Sequence, residues 1–317
     1  MDVIRGWQNV PASAKGAVLA IGNFDGVHRG HQMVLRRAME IAKAEGRQAG
    51  TILFEPHPVE YFAPEKPFFR LTPLDVKLEL LEELGLDQAV VLDFDAELCA
   101  LTAQEFAEQV ISEGIGAHHI VVGYDFKYGK GRGGSTEDLK RMGEELGFGV
   151  SVVDPVSGGG STYSSSRARD HLRRGELREA GETLGYWWRV RGAVEAGAGR
   201  GKGLGFPTVN LELRPGQALA HGIYAVRVVV DDKTYAAAGY LGERPTFGAG
   251  PPIFEAFLFD FEGDLYGKDI EIVFVEHIRE DETFETPEAL AEQMDRDCRK
   301  IEQILRDAPA SPVVGGI

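Results

Sequence analysis

Apolar and polar positions alternate on two different scales along this chain. In the first half, five short apolar runs, AVLAIG, AGTILFEP, QAVVLDF, HIVVGYDF and GVSVVDP, are apolar on both faces and rich in β-branched residues. Such runs predict buried strands. Helix signals lie between them. Thr72 and Pro73 open a Leu-rich stretch that stops at Gly85, and Thr102 followed by Glu105 forms a capping box. Strands separated by helices predict an α/β domain with a parallel, doubly wound sheet, whose ligand crevice lies at the carboxyl ends of the strands.

After residues 164–185, which read as one or two short helices, the pattern changes. YWWRVRGAV, GIYAVRVVVDD, TYAAAGYLG, FEAFLFDF and DIEIVFVEHI follow one another with turn residues such as Asp231-Asp232 and 262–264 between them. Successive strands of this kind predict an antiparallel barrel or sandwich. A terminal helix is expected, with Thr286 as its cap, Pro287 in its first turn and a stripe of Leu290, Met294, Cys298, Ile301 and Leu305. Two domains follow, residues 1–183 and 184–310. A chain of 317 residues accommodates two cores.

Composition narrows the classes. The formal net charge of −16 argues against a nucleic-acid partner, where a basic face supplies most of the affinity. No apolar run approaches the roughly 20 residues needed to span a bilayer, and the N-terminus lacks a signal-peptide core, so a cytoplasmic protein without membrane partners is expected. Cys99 and Cys298 lack metal-type spacing and read as buried packing residues. The basic residues gather in two islands, Lys127, Lys130 and Arg132 in one and Arg167, Arg169, Arg173 and Arg174 in the other. Small anions are the natural ligands to test there. Oligomeric state is open between a monomer and a weak homo-oligomer.

Residues 20–32, AIGNFDGVHRGHQ, join a strand end to an amphipathic helix. Gly26 and Gly30 allow close backbone approach, and amides at a helix start favour negative charge. His28 and His31 can then donate hydrogen bonds to phosphate oxygens. Zinc is a weaker reading, since the pair supplies two ligands and no cysteine is near. Two histidines satisfied within the fold remain the plain alternative.

The stretch GNFDGVHRGH resembles the signature of nucleotidyltransferases in the form found in the FMN adenylyltransferase module of bacterial bifunctional riboflavin kinase/FAD synthetases. FEPHP (54–58), GYDFKYGKGRGG (123–134) and SSSRAR (164–169) match that module in the same order. The resemblance implies a Rossmann-like domain in which Gly22, Asn23, Phe24, Gly30, His28 and His31 hold ATP, with the two histidines at its phosphates. His57 joins them from the second predicted strand. Asp125, Phe126 and Arg132 face the flavin, and Ser164 and Arg169 contact ATP phosphates. Ala168 stands where the family usually has Ile, and Ser166 where Thr is frequent. Read from the residues alone, Asp125 could equally cap a turn, and Tyr128 could simply pack. No evident general base is present, which suits a reaction whose nucleophile is already an anionic phosphate.

The second concentrated signal is AGAGRGKGLGFPTVN, residues 196–210. Its alternating glycines can wrap a phosphate chain, but it lacks the ending of a Walker loop. A flexible surface loop is the alternative. Thr208 and Asn210 supply a hydroxyl and an amide oxygen able to bind one magnesium ion. This resembles the Pro-Thr-Ala-Asn motif of riboflavin kinases, with Val209 in place of Ala. GIYAVRV, GERPTFG and FEAFLFDFEGDLYGKDI extend the likeness. It implies an antiparallel kinase barrel in which Gly199, Gly201, Lys202 and Gly205 contact ATP, Arg244 faces flavin, and Glu255 is the catalytic base.

The residues support Glu255 independently. On a strand it shares a face with Ile253, Phe257 and Phe259, a carboxylate on an apolar side whose raised pKa would suit proton abstraction from a hydroxyl. The chain departs from the common kinase pattern at residues 196–198 and at Tyr240. The combined expectation is a magnesium-dependent enzyme that converts riboflavin and ATP to FMN in its second domain, and FMN and ATP to FAD in its first.

Overall fold

The computed structural model describes residues 1–158, 160–195, 208–242, 253–263 and 265–309, without the side chain of Thr208. It divides into two compact units, Met1–Ser165 and Ser166–Ile317.

The first unit is built on six strands: β1 (Asp2–Arg5), β2 (Val18–Ile21), β3 (Ala49–Glu55), β4 (Gln88–Asp93), β5 (His119–Gly123) and β6 (Gly149–Val153). All pairings are parallel, in the order β1-β4-β3-β2-β5-β6. The five strands expected from the apolar runs are present. The edge strand β1 was not anticipated, because its residues are mostly exposed and carry no apolar run. From β2 the chain moves outward through β3 to β4, then returns to the opposite side of β2 for β5 and β6. That reversal places a crevice beyond the carboxyl ends of β2 and β5.

Helices α1 (Arg29–Glu45), α2 (Pro58–Phe62), α3 (Leu74–Glu83), α4 (Ala96–Ala100), α5 (Ala103–Glu105) and α6 (Thr136–Leu146) make the connections. Helix α1 buries Val34, Leu35, Ala38, Ile41 and Ala42 and ends on Gly46 at φ 65°, a left-handed cap that suits glycine. The Thr102–Glu105 capping box forms at the start of α5, and the chain continues in wide π-helical turns to Ile115. A small hairpin, β7 (Ser157–Gly158) and β8 (Ser161–Thr162), precedes α7 (Ser165–Arg173).

The second unit contains most of α7, then α8 (Leu177–Leu184) and six strands: β9 (Arg189–Ala193), β10 (Thr208–Glu212), β11 (Gly222–Val230), β12 (Lys233–Leu241), β13 (Ile253–Leu258) and β14 (Asp269–Arg279). Every neighbouring pair is antiparallel, in the order β10-β13-β12-β11-β14-β9. A bridge between Glu195 and Asn210 draws the two edges together into a near-barrel, with the Glu195 amide donating to the Asn210 carbonyl at 2.9 Å. Asp231 and Asp232, at φ 49° and 60°, form the tight turn between β11 and β12. Inside, Tyr224, Phe254 and Phe274 meet edge to face. At Gly239, a Cβ would stand 2.2 Å from the Phe254 ring, so that packing requires glycine.

Helix α9 (Pro287–Asp307), capped by Thr286, lies on the outer face. Its C-terminal half buries Ile301 and Leu305 against Trp187, Ala225 and Val275. The Arg227 guanidinium donates to the carbonyls of Leu305, Ala308 and Pro309 at 3.1, 2.7 and 2.9 Å. The expected stripe is therefore only half used, since Leu290 and Met294 are 42% and 40% exposed. Cys99 and Cys298 are half-buried instead of buried.

Candidate functional site

Residues 22–28 follow β2 at the topological switch point, and their backbone is strained. Phe24 has φ 45° and Val27 φ 37°, although both are non-glycine and Val27 is β-branched. Such conformations cost about 1–3 kcal/mol each and persist only where the surroundings over-determine them. Here the surroundings do. Lys77 Nζ donates to the Asn23 carbonyl at 2.6 Å, and Val27 N–H to the Phe24 carbonyl at 3.1 Å. Ser165 Oγ donates to the Asp25 carbonyl at 2.8 Å, and Gln32 Nε2 to that of Val27 at 2.9 Å. The Gly26 N–H donates to Thr72 Oγ1 at 2.8 Å. The buried Asp25 carboxylate accepts from the amides of Leu71 and Thr72 at 3.0–3.2 Å. Thr72 was expected at the mouth of α3; its hydroxyl instead joins this turn, and α3 starts without a side-chain cap.

His28 ends the turn as the N-cap of α1, where its Nδ1 accepts from the His31 N–H at 3.3 Å. The bond assigns the imidazole proton to Nε2, leaving a donor on the far side of the ring. The His28 and His31 rings stack with centroids 3.6 Å apart, and Phe24 meets His31 edge-on at 5.1 Å. At Gly30 a Cβ would lie 3.1 Å from the His28 ring and 3.2 Å from the Tyr163 carbonyl, so glycine lets these groups close in. At Gly22 a Cβ would lie 3.0 Å from the Phe24 ring.

His57 repeats the device after β3. As N-cap of α2 it accepts the Val59 N–H on Nδ1 at 3.2 Å, while its own amide donates to Glu60. Glu60 and Glu55 are both held by Arg70. Burial opposes charge on Glu55, but Arg70's hydrogen bonds and charge outweigh it and hold the carboxyl below its ordinary value. Past β5, Asp125 is exposed and Phe126 half-buried, with the Phe126 amide donating to the Gly123 carbonyl at 3.1 Å. Arg132 is exposed in the glycine turn at φ 59°. Tyr128 is buried, reaches Met142 Sδ, and its phenol is pushed up to about 12 by burial, so this residue packs. Ser164 is half-buried just before α7. Arg169 lies on α7 in the second unit, half-buried beside the fully buried Ala168.

Sequence reasoning missed an aromatic run on the same side of the first sheet. Phe62, 70% exposed, touches Phe94, which touches Phe54; Phe54 leads to Phe106, then Tyr128, then Phe126. The adjacent Tyr61 and Phe62 were the available signal. It also missed Lys77, although a lysine among Val76, Leu80 and Leu81 on the inner side of α3 was legible as an anomaly.

In the second unit the strand register does the assembling. Glu255 stands opposite Asn210 on one side and Tyr240 on the other, so the three form a row across β10, β13 and β12. Asn210 is buried, and Tyr240's hydroxyl donates to Asp281 at 2.9 Å. Burial, Asp281 and Glu255 together push the Tyr240 phenol up to about 12. Glu255 shares its face with Ile253 and Phe257 as expected, but the face turned to the core is Phe254, Ala256 and Leu258. The Glu255 side chain is exposed, so the apolar side it shares does not enclose the carboxylate. Gly199, Gly201, Lys202, Gly205 and Arg244 lie outside the described residues, as does the side chain of Thr208.

The first unit thus carries a strained, histidine-capped turn at the end of a parallel strand, and the second an antiparallel near-barrel crossed by its own polar row. The FAD synthetase family model matches residues 10–167, and the riboflavin kinase model residues 184–305. A bifunctional riboflavin kinase/FMN adenylyltransferase from Escherichia coli (strain K12) is 36% identical over 299 residues, covering 94% of this chain and 96% of its own. An enzyme of the same name from Bacillus subtilis (strain 168) is 34% identical over 289 residues, covering 89% and 90%. A solved structure described as a macrolide-efflux protein from Streptococcus pneumoniae matches with a TM-score of 0.85 at 28% identity, over 98% of this chain and 100% of its own. Among the described residues here, no helix is long and apolar enough to cross a membrane. The chain belongs to the bifunctional riboflavin kinase/FMN adenylyltransferase family.

Proposed function

We propose that this chain makes FAD in two ATP-dependent steps, phosphorylating riboflavin in its C-terminal domain and adenylylating the resulting FMN in its N-terminal domain. We place the domain boundary at residue 183, between the end of the first family match at 167 and the start of the second at 184, whereas the compact units part between Ser165 and Ser166. The observation that carries the first-domain reading is the pair of histidine caps. His28 and His57 each accept a backbone amide on Nδ1, which leaves the ring proton on Nε2, and each lies beyond the carboxyl end of a parallel strand. His28 and His31 bind the phosphates of ATP and offset the charge that develops as the α-phosphorus is attacked by the FMN phosphate; pyrophosphate leaves. Gly22, Asn23, Phe24 and Gly30 shape the turn around the nucleotide, His57 joins from β3, and Ser164 and Arg169 supply further phosphate contacts. Asp125, Phe126 and Arg132 face FMN, with the exposed Phe62 offering a face for the flavin ring.

In the kinase domain Glu255 takes the proton of riboflavin's primary hydroxyl as it attacks the γ-phosphorus. Its exposed carboxylate stands next to Asn210 in register, an oxygen-donor pair suited to a hard cation. Asn210 and Thr208 would hold magnesium. Bound magnesium supplies charge neutralisation on the phosphates. Gly199, Gly201, Lys202 and Gly205 wrap ATP, and Arg244 contacts flavin. The enzyme works in the cytoplasm without nucleic-acid or membrane partners, as a monomer or weak homo-oligomer.

The test is to incubate the purified protein with riboflavin, ATP and magnesium and resolve the flavins over time. FMN appearing first and FAD later supports both steps. Unchanged riboflavin, with added FMN still converted to FAD, removes the kinase half of the reading.

A further inference from the structure

Lys77 is fully buried, on α3, with its ammonium against the carbonyl of Asn23. A lysine is rarely enclosed without a task, because removing its charge from water is expensive. Its neighbours form a compact ionic group drawn from four elements. Asp25 comes from the turn, Arg70 from the segment before α3, Glu55 from β3 and Glu60 from α2. Arg70 binds both glutamates and donates through Nε to the Thr72 carbonyl at 3.3 Å, while Asp25 gathers the Leu71 and Thr72 amides. The segment of residues 70–77 thus grips the turn at Asn23, Asp25 and Gly26, and Lys77 is the cation of that grip.

We infer that Lys77 is a positioning residue for adenylyl transfer, holding the Asn23 carbonyl and with it the strained turn that presents Phe24, His28 and His31 to ATP. The inference rests on the N-terminal reading above. Asn23 immediately precedes Phe24, so its carbonyl orientation sets the peptide plane from which the φ 45° conformation departs. Released from that contact, the turn can relax toward ordinary backbone angles, which moves the His28 cap and the ring stacked on it.

Burial pushes the Lys77 ammonium down to about 8, with Asp25, Glu55 and Glu60 restoring part of the loss and Arg70 adding to it. A neutral amine still donates, but roughly half as strongly as the ammonium. FAD synthesis therefore weakens as pH rises through about 8. The stability contribution has the opposite sign. Between about 8 and the ordinary 10.5 the unfolded chain holds this proton and the folded chain does not, so this group's contribution to stability rises with pH.

The experiment compares the wild-type chain with Lys77→Met, measuring FMN-to-FAD conversion, riboflavin-to-FMN conversion, far-UV circular dichroism and the pH profile of each activity from about 6.5 to 9.5, about 1.5 units either side of the Lys77 midpoint. We expect Lys77→Met to lower kcat for FAD formation by about 10- to 100-fold. KM for FMN should stay within about threefold and the kinase rate within about twofold. Wild type should show an alkaline fall in kcat for FAD formation that the variant lacks. Retention of wild-type kcat, or an alkaline fall that persists in Lys77→Met, overturns the inference. If the variant does not fold, the wild-type profile decides, and a flat profile between pH 7 and 9.5 or so overturns it. A wild-type chain that makes no FAD from FMN would instead overturn the N-terminal reading itself.

Discussion

Replacing His28 with asparagine separates two jobs that the native ring performs together. One is structural: Nδ1 accepts the His31 amide at 3.3 Å and caps α1. The other is chemical, the Nε2–H on the opposite side of the ring from the cap. Asparagine is among the favoured N-cap residues, so His28→Asn should keep the cap and change stability by only a few tenths of a kcal/mol or so, whereas His28→Ala loses about 1 kcal/mol. For a unit of this size, about 1 kcal/mol lowers the melting temperature by roughly 2–4 °C. Neither substitute reaches as far as Nε2. Losing a hydrogen bond to a charged phosphate costs about 1.5–3 kcal/mol, which is about 10- to 150-fold in kcat/KM. Both variants should therefore lose FAD synthesis by that factor while melting at different temperatures. The assay is chromatographic separation of FMN and FAD after incubation with ATP and magnesium, with riboflavin phosphorylation in the same preparations as the reference. If His28→Asn makes FAD within about threefold of wild type while His28→Ala does not, the ring is a cap and its phosphate role is refuted.

Three further outcomes are expected. Glu255→Gln should reduce FMN formation from riboflavin by about 10²-fold or more and leave FMN-to-FAD conversion intact, and survival of the kinase rate within about threefold removes the base assignment. Phe62→Ala should raise KM for FMN in the adenylyl step by about 2- to 12-fold at little change in kcat, the worth of one ring contact, and an unchanged KM places the flavin elsewhere. Arg227→Ala removes donors to three carbonyls at the C-terminal end of α9 and should lower the melting temperature of the kinase unit by on the order of 5 °C, read by differential scanning calorimetry; an unchanged transition means the helix end is held by its apolar contacts alone.

Much of the first sheet is visible in the chain because a strand buried on both faces needs an unbroken apolar run, and five such runs are there. The edge strand β1 is not, since an edge has little to bury. His28 and His31 stand out through their glycine spacing after a strand, a purely local signal. Lys77 does not, because its partner Asn23 is 54 residues away and only the folded sheet brings them together. Thr72 shows how far a local rule reaches: its place before Pro73 suggests a helix cap, yet the buried Asp25 and Gly26 compete for its hydroxyl and win.

Glu255 marks the same limit in the second unit. Strand alternation by itself places Glu255 on one face with Ile253 and Phe257, and that pairing holds. Which face turns inward is undetermined locally, because residues 254, 256 and 258 are apolar as well. Curling of the near-barrel buries Phe254 against Tyr224 and Phe274, while along the neighbouring row Asn210 is buried, Tyr240 half-buried and Glu255 exposed. Sequence determines which residues travel together on a strand face or helix turn, since backbone geometry is periodic. Tertiary structure alone decides which face meets the core, because that depends on how much apolar surface the rest of the chain brings against each side.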